Sequence, residues 1–366
     1  NALRADCGGA SMGFVLARST GLRHLVMDPC WKLAPMGRSY GCGLTLASLR
    51  SPLPWMDTCM LTRDPAAFLD FARTCTPDFG PATARAAFLV APDGFARAEQ
   101  SATDNRYMHD DADFDAGCAN TQHHELQRAL SSELPVICFP GDVDTPDALF
   151  PNNAFATARV HGVPRLIVGR MRHAVRQRET TRRDIRDFFT TVVGYETHDL
   201  STQTHPCELT GSLVIDRARG LGFCGLSERC DEAGAAHMHA AFGLRATLMF
   251  DLAPGEYHAN VVLAVLAGRA ALICPQGFAD AAVPDAIAAL YAPHGIRLSP
   301  AEHAAFAGNA IALAADSVWM SAGADTALVP ATRRALAEAG LQVRSVALDA
   351  IEAAGGSLRC CVAEIF

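Results

Sequence analysis

Ser212-Leu213-Val214-Ile215-Asp216, then Leu221-Gly222-Phe223-Cys224 after a link ending in Gly220, reads as two short apolar strands folded back on each other. Runs of this length, joined by a glycine-bearing turn, predict a β-hairpin. Working outward, residues 260–265 and 270–274 form a second strand pair, followed by a helix near 280–291. Upstream, Leu166-Ile167-Val168 is a strand ahead of an Arg-rich helix around 178–189. Further upstream come Phe88-Leu89-Val90, a helix pattern over 125–130, and the strand 134–139, which stops at Pro140-Gly141. Downstream, Val318-Trp319-Met320, a helix over 331–339 and a strand over 342–346 complete the pattern. Strand, strand, helix, strand recurs in units of roughly 50 residues, which predicts an α/β chain built from repeated modules.

Composition narrows the function. The chain has 366 residues, half of them hydrophobic and 19% charged, so it can bury a large core and is not a disordered chain. Its formal net charge is −8, where a nucleic-acid-coating protein would be basic. Thirteen cysteines are too few for a disulfide scaffold, their number is odd, and no secretory pattern opens the sequence. Reduced thiols and a cytoplasmic location are expected. No apolar run is long enough for a membrane span. Lys32 is the only lysine, which excludes Schiff-base chemistry and a P-loop almost everywhere else. Residues 1–86 read as an extension of unknown role: a lid, an oligomer contact or a separate small unit. They carry Cys7, Cys30, Cys42, Cys59 and Cys75 without a CxxC pair, a turn at 40–43, breaks at Pro52 and Pro54, and a helix pattern over 65–73.

Four clusters could carry chemistry. Phe150-Pro151-Asn152-Asn153 places two amides after a proline, which suits either a turn or a pair of neutral substrate contacts. Cys207-Glu208-Leu209-Thr210-Gly211-Ser212 puts a carboxylate at the mouth of an apolar strand, as a solvated loop residue or as an acid held at the sheet's end. Gly255-Glu256-Tyr257-His258-Ala259-Asn260 opens another, and strand alternation would set His258 and Asn260 on one face. Two polar side chains on an apolar strand are costly to bury without a purpose. Gly355-Gly356-Ser357-Leu358-Arg359-Cys360-Cys361 offers a cysteine after paired glycines, where a backbone approaches a ligand closely. Cysteine, histidine and glutamate are the parts of a thiol nucleophile, its acid/base and an orienting carboxylate.

Taken in order with Phe306-Ala307-Gly308-Asn309 and Thr145-Pro146-Asp147, these segments resemble the guanidino-group-modifying superfamily of arginine deiminases, amidinotransferases and dihydrolases, and among them the citrulline hydrolase-like branch. The likeness covers residues 87–366. It implies a five-bladed pseudo-symmetric α/β propeller of ββαβ modules (pentein type), with Cys360 as nucleophile, His258 as acid/base and Glu208 as the carboxylate for the substrate's terminal nitrogens. Asn152, Asn153, Asn260, Asn309 and Arg359 are carried as substrate contacts, without a metal or other cofactor. In arginine deiminases two aspartates complete the guanidinium clamp, and Asn153 and Asn260 stand at the apparent positions here. A guanidinium has donors only and matches carboxylates, whereas an amide also meets the carbonyl of a ureido group. Losing each charged hydrogen bond weakens cation binding by about 1.5–3 kcal/mol. Hydrolysis of citrulline to ornithine, ammonia and carbon dioxide is therefore expected. An arginine or acylarginine dihydrolase, a deiminase or an amidinotransferase on the same fold is the alternative.

Other classes compete with this reading. Cys230, His237 and His239 lie close together and suggest a metal protein, against a solvated loop before a strand. Eight arginines between Arg165 and Arg186 suggest nucleic acid, against a solvated helix face with no aromatic platform. Cys138, Cys224 and Cys274 read as core residues. The expected partner is a small arginine-related amino acid, with neither nucleic acid nor membrane; a homo-oligomer stays open.

Overall fold

The computed structural model describes residues 59–110 and 114–366. The expectations placed on Cys7, Cys30, Lys32, Cys42, the turn at 40–43, Pro52 and Pro54 lie outside the described residues. The hairpin forms: Leu213–Asp216 pairs antiparallel with Leu221–Leu226 in the register Leu213↔Cys224. Gly220 turns it with φ +71°, in the left-handed region that favours glycine. The helix Glu232–Phe242 then carries the chain back, and Ala246–Asp251 lies parallel beside Leu221–Leu226. That helix starts where the Asp231 side chain accepts Gly234 N–H and ends at left-handed Gly243.

The same order repeats. Phe155–Val160 pairs antiparallel with Val163–Val168, which runs parallel to Glu196–Asp199. Leu263–Leu266, Ala270–Ile273 and Gly295–Arg297 do likewise around the helix Ala282–Leu290. In the next unit the first strand shrinks to the bridge Ile311↔Trp319, and Ser317–Ser321 runs parallel to Gln342–Val346. The last unit joins distant parts of the chain. Ala363–Ile365 pairs antiparallel with Ala86–Val90, which is parallel to Val136–Phe139 across the helix Ala116–Leu130. The described residues thus form an α/β fold with five sheets. The middle strands are covered on both faces: Ala270–Ile273 is buried at every residue, as expected of an unbroken apolar run beside a parallel neighbour. Each such Leu or Ile contributes about 1.5–3 kcal/mol.

Part of the segment before residue 87 is built into this fold. Met60–Thr62 pairs parallel with Ala246–Asp251, and the helix Pro65–Ala72, capped by Asp64, buries Phe68 edge-on to Phe223. Among the described residues, no helix is long and apolar enough to cross a membrane.

Several local expectations change. Residues 259–262 are not strand: Ala259–Val262 is one helical turn, with His258 extended before it and the strand starting at Leu263. His258 and Asn260 therefore do not share a strand face. The paired valines favour strand, but enclosure between neighbouring modules overrides that propensity. Glu208 likewise enters its strand through the turn Leu209–Ser212. The Arg-rich stretch begins with the short turns Ala174–Gln177 and Glu179–Thr181 and becomes helical where Arg183–Asp187 runs straight into Phe188–Val192, and Arg176 in the first turn is buried at 2% exposure rather than solvated. His237 and His239 lie on the helix Glu232–Phe242 instead of a loop, with His239 Nδ1 at 2.9 Å from Thr247 Oγ1. Cys230 is buried against Cys224, the sulfurs 3.7 Å apart. Among the described residues no group of three or more His, Cys, Asp or Glu is placed to hold a metal ion.

Candidate functional site

Each unit enters its first strand through a short turn, and the motif residues sit there. The turns are Pro151–Asn153, Leu209–Ser212, Ala259–Val262 and Leu358–Cys361, with Phe306-Ala307-Gly308-Asn309 in the equivalent place. They are tied to one another. Thr210 Oγ1 donates to Asn152 O at 3.1 Å, Asn309 Nδ2 donates to Asn260 O at 2.9 Å, and Arg359 N–H donates to Asn309 Oδ1 at 3.0 Å. Repetition of one module thus ties together residues 49 to 58 positions apart in sequence at each step.

Cys360 is 1% exposed; its sulfur accepts from Asn309 Nδ2 at 3.3 Å and faces Asn260 Oδ1 at 3.8 Å. Burial pushes its thiol up, the Asn309 hydrogen bond opposing. His258 Nε2 lies 2.9 Å from Glu208 Oε2, and both residues are 0% exposed. Burial would raise the Glu208 carboxyl, but Arg229, His258 and Arg176 outweigh it and hold the group well below the usual carboxylate range. An ionised carboxylate only accepts, so Nε2–H is the donor and Nδ1 is the nitrogen left to exchange a proton. Burial lowers the His258 pKa, with Glu208 opposing, so the imidazole is neutral near pH 7. Glu208 Oε1 also accepts Arg172 N–H at 3.1 Å, and Arg229 Nη1 donates to Oε2 at 3.3 Å.

Asn153 meets this dyad across Gly211. A Cβ at 211 would fall 2.3 Å from Asn153 Oδ1 and 2.8 Å from His258 Cε1, so the Glu-Leu-Thr-Gly motif needs its glycine for close approach. Gly211→Ala is expected to lower kcat at least tenfold while costing about 1–3 kcal/mol of stability. Steady-state rates beside urea melts check this, and unchanged turnover would contradict the packing.

Several buried polar atoms of the motif residues lack partners. Among the described residues, His258 Nδ1, Asn260 Nδ2, Asn153 Oδ1, both Asn152 side-chain atoms and Asp147 Oδ1 are buried and unbonded. Unsatisfied groups at this density are expensive unless a ligand meets them. Asn153, Asp147, Arg176, Arg229, Tyr257 and Cys360 line one pocket. Arg359 is oriented elsewhere: its guanidinium donates to Glu364 Oε2 at 2.9 Å and Val362 O at 2.8 Å.

Asp147, Arg176, Arg229 and Tyr257 were not foreseen as site residues. Arg229 donates to Asp104 and Glu208, and its guanidinium lies 5.3 Å from the centre of the Tyr257 ring. Arg176 is gripped by Glu179 and stands 3.6 Å from Glu208 Oε2. The one available signal was Asp147, close before the Phe-Pro-Asn-Asn segment.

The sequence profile of the family described as N,N dimethylarginine dimethylhydrolase, eukaryotic, matches residues 91–366. The chain belongs to that family, within the guanidino-group-modifying superfamily that the motifs resemble, and is a hydrolase of C–N bonds. Three solved structures show the same fold. One is the N-terminal domain of ArgZ, an arginine dihydrolase from the ornithine-ammonia cycle in cyanobacteria, as a substrate-bound cysteine-to-serine mutant. It is 20% identical over 76% of this chain and 97% of that one, with a TM-score of 0.66. AgrE in complex with L-arginine is 21% identical over 77% of this chain and 40% of that one, TM-score 0.66. A dimethylarginine dimethylaminohydrolase adduct with S-methyl-L-thiocitrulline is 19% identical over 77% of this chain and 100% of that one, TM-score 0.58. At these identities the likeness is one of fold. No curated protein matches the chain.

Proposed function

We propose that this chain is an arginine dihydrolase, converting arginine and two waters to ornithine, carbon dioxide and two ammonia molecules. The observation that carries the reading is the pair of amides at the reacting centre. Asn260 faces the Cys360 sulfur, and Asn153 shares its pocket and approaches His258. Amides accept from a guanidinium and donate to a ureido carbonyl, so one site serves both the substrate and the half-reacted amino acid. Cys360 gives its proton to His258 Nδ1 and attacks the guanidino carbon. The first ammonia leaves with that proton, and water releases the ureido compound. A second attack expels the second ammonia and leaves a thiocarbamate, whose hydrolysis gives ornithine and carbon dioxide.

The charged part of the pocket suits an amino-acid head group. Arg176 and Arg229 are buried cations for a carboxylate, and Asp147 Oδ1 is a buried acceptor for an ammonium. On this reading the five sheets are the blades of a closed propeller, and residues 87–366 are its catalytic unit.

Purified protein given arginine should yield ornithine and ammonia in a 1:2 ratio, and added citrulline should also be consumed. Accumulation of citrulline would indicate a deiminase, and turnover of citrulline alone a ureido hydrolase. Dimethylamine from dimethylarginine would indicate the activity in the family's name. Turnover of none of these sinks the reading.

A further inference from the structure

Arg176 is held from behind by a carboxylate outside the substrate pocket. Its Nε donates to Glu179 Oε1 at 2.8 Å and its Nη2 to Glu179 Oε2 at 2.9 Å. Nη2 also reaches the carbonyls of Asp147 at 3.4 Å and Phe150 at 3.3 Å. Nη1, the remaining nitrogen, is the one turned toward Glu208. Glu179 is 2% exposed and lines a separate small cavity with Arg182 and Ile185. Its own turn is pinned: Thr180 Oγ1 donates to Gln177 O at 2.7 Å, and Arg186 Nε donates to Thr180 O at 2.7 Å. A two-point fork of this kind fixes both the position and the plane of a guanidinium.

We propose that Glu179 is a positioning residue that holds Arg176 with Nη1 presented to the pocket, and so sets the affinity for the substrate's carboxylate. This rests on the reading of Arg176 as part of the carboxylate subsite. Without the fork, Arg176 is free to close on Glu208, its nearest other carboxylate, and withdraws from the substrate. The effect belongs to binding, because Glu179 has no contact with Cys360 or His258 among the described residues.

The test compares arginine with its decarboxylated analogue, which keeps the guanidino group and lacks the carboxylate. Glu179→Gln is expected to raise the KM for arginine roughly tenfold, the loss of one charge-assisted hydrogen bond. kcat should stay within about threefold, and the inhibition constant of the analogue should not move. Glu179→Asp should recover part of the lost affinity. Should Glu179→Gln fail to fold, the wild-type enzyme supplies the same comparison by pH. Burial raises the Glu179 carboxyl to about 7, against Arg176 and with Asp147 and Glu208 nearby, and Arg182 is the other charge facing it. Protonation loosens the fork. The arginine KM should therefore climb as pH falls from 8 to 6, relative to the analogue's inhibition constant. His258 titration cancels in that ratio, because both molecules share the guanidino group. Equal shifts for both molecules, an unchanged KM, or a fall in kcat alone overturns the assignment. Absence of wild-type turnover defeats the functional reading instead, whereas wild-type turnover with an unmoved KM in the variant defeats only the role of Glu179.

Discussion

Cys360→Ser is expected to lower turnover by about 10⁴-fold or more, the scale seen when a covalent nucleophile is removed. Cys361→Ser should leave kcat within a few-fold. The two residues are adjacent and equally buried, yet their surroundings differ. The Cys360 sulfur meets Asn309 and Asn260 and opens on the pocket. Cys361 packs into an apolar cluster with Leu358 and Val362, and burial pushes its thiol well up, with Cys360 and Glu352 adding to the effect. Its replacement buries a hydroxyl and costs about 1–3 kcal/mol of stability. The pH dependence follows from the same environment. With the Cys360 thiol raised above 9.0 and His258 lowered below 6.5, both are neutral between those values in the free enzyme. The thiolate forms by proton transfer to Nδ1, assisted by the cationic substrate, since a nearby positive charge lowers a thiol's pKa. kcat/KM should therefore be flat between those values, falling on the acid side as His258 takes up a proton and on the alkaline side as Cys360 loses its proton to solvent. Rates of the two serine variants decide the nucleophile, and loss confined to Cys361→Ser would move it by one residue.

The repeated module was legible because its middle strands are unbroken apolar runs such as Ala270–Ile273, and because a polar residue before such a run stands out. Glu208, His258 and Asn260 stand out that way, whereas Cys360 is singled out by the paired glycines before it, Asn153 by the amide pair after Pro151, and Asn309 by the family resemblance alone. Phe155–Val160 escaped notice: its alanines, Thr157 and Arg159 carry little strand pattern, and it is defined by pairing with Val163–Val168. Ala363–Ile365 is too short to read alone and exists through Ala86–Val90, far away in sequence. The charged half of the pocket was hidden for a related reason. Arg176 looked like one more exposed arginine in a basic stretch, and Arg229 sits in the charged run Ser-Glu-Arg-Cys-Asp. The bridge Cys207↔Cys230 and the bond from Glu208 N–H to Arg229 O bring Arg229 to Glu208. Burial of a charge is a tertiary property, with no periodicity to announce it.

Glu208→Gln should cost both activity and stability, with a pH signature that separates this residue from a mere orienting contact. The carboxylate accepts from His258, Arg229 and the Arg172 backbone, with Arg176 within ion-pair reach. An amide keeps one acceptor and turns its NH₂ toward groups that are themselves donors. His258 Nε2–H loses its fixed acceptor, so Nδ1 is no longer held ready for the thiol proton. kcat should drop by about 10² to 10⁴, the range for displacing a general acid/base. The two buried guanidiniums also lose a shared counter-charge. Breaking a buried pair in this way typically costs about 3–5 kcal/mol, and Asp104 and Glu179 keep the value toward the lower end. In the wild type, Glu208 is depressed from its ordinary 4.5 on folding. Its contribution to stability is therefore complete above that value and is lost as pH falls toward the folded-state pKa. Urea midpoints at pH 7 and pH 4 should differ less in Glu208→Gln than in the wild type, because the variant has no proton to take up there. A variant with wild-type turnover, or one whose acid sensitivity matches the wild type, would remove Glu208 from the centre of the charge network and leave His258 without its partner.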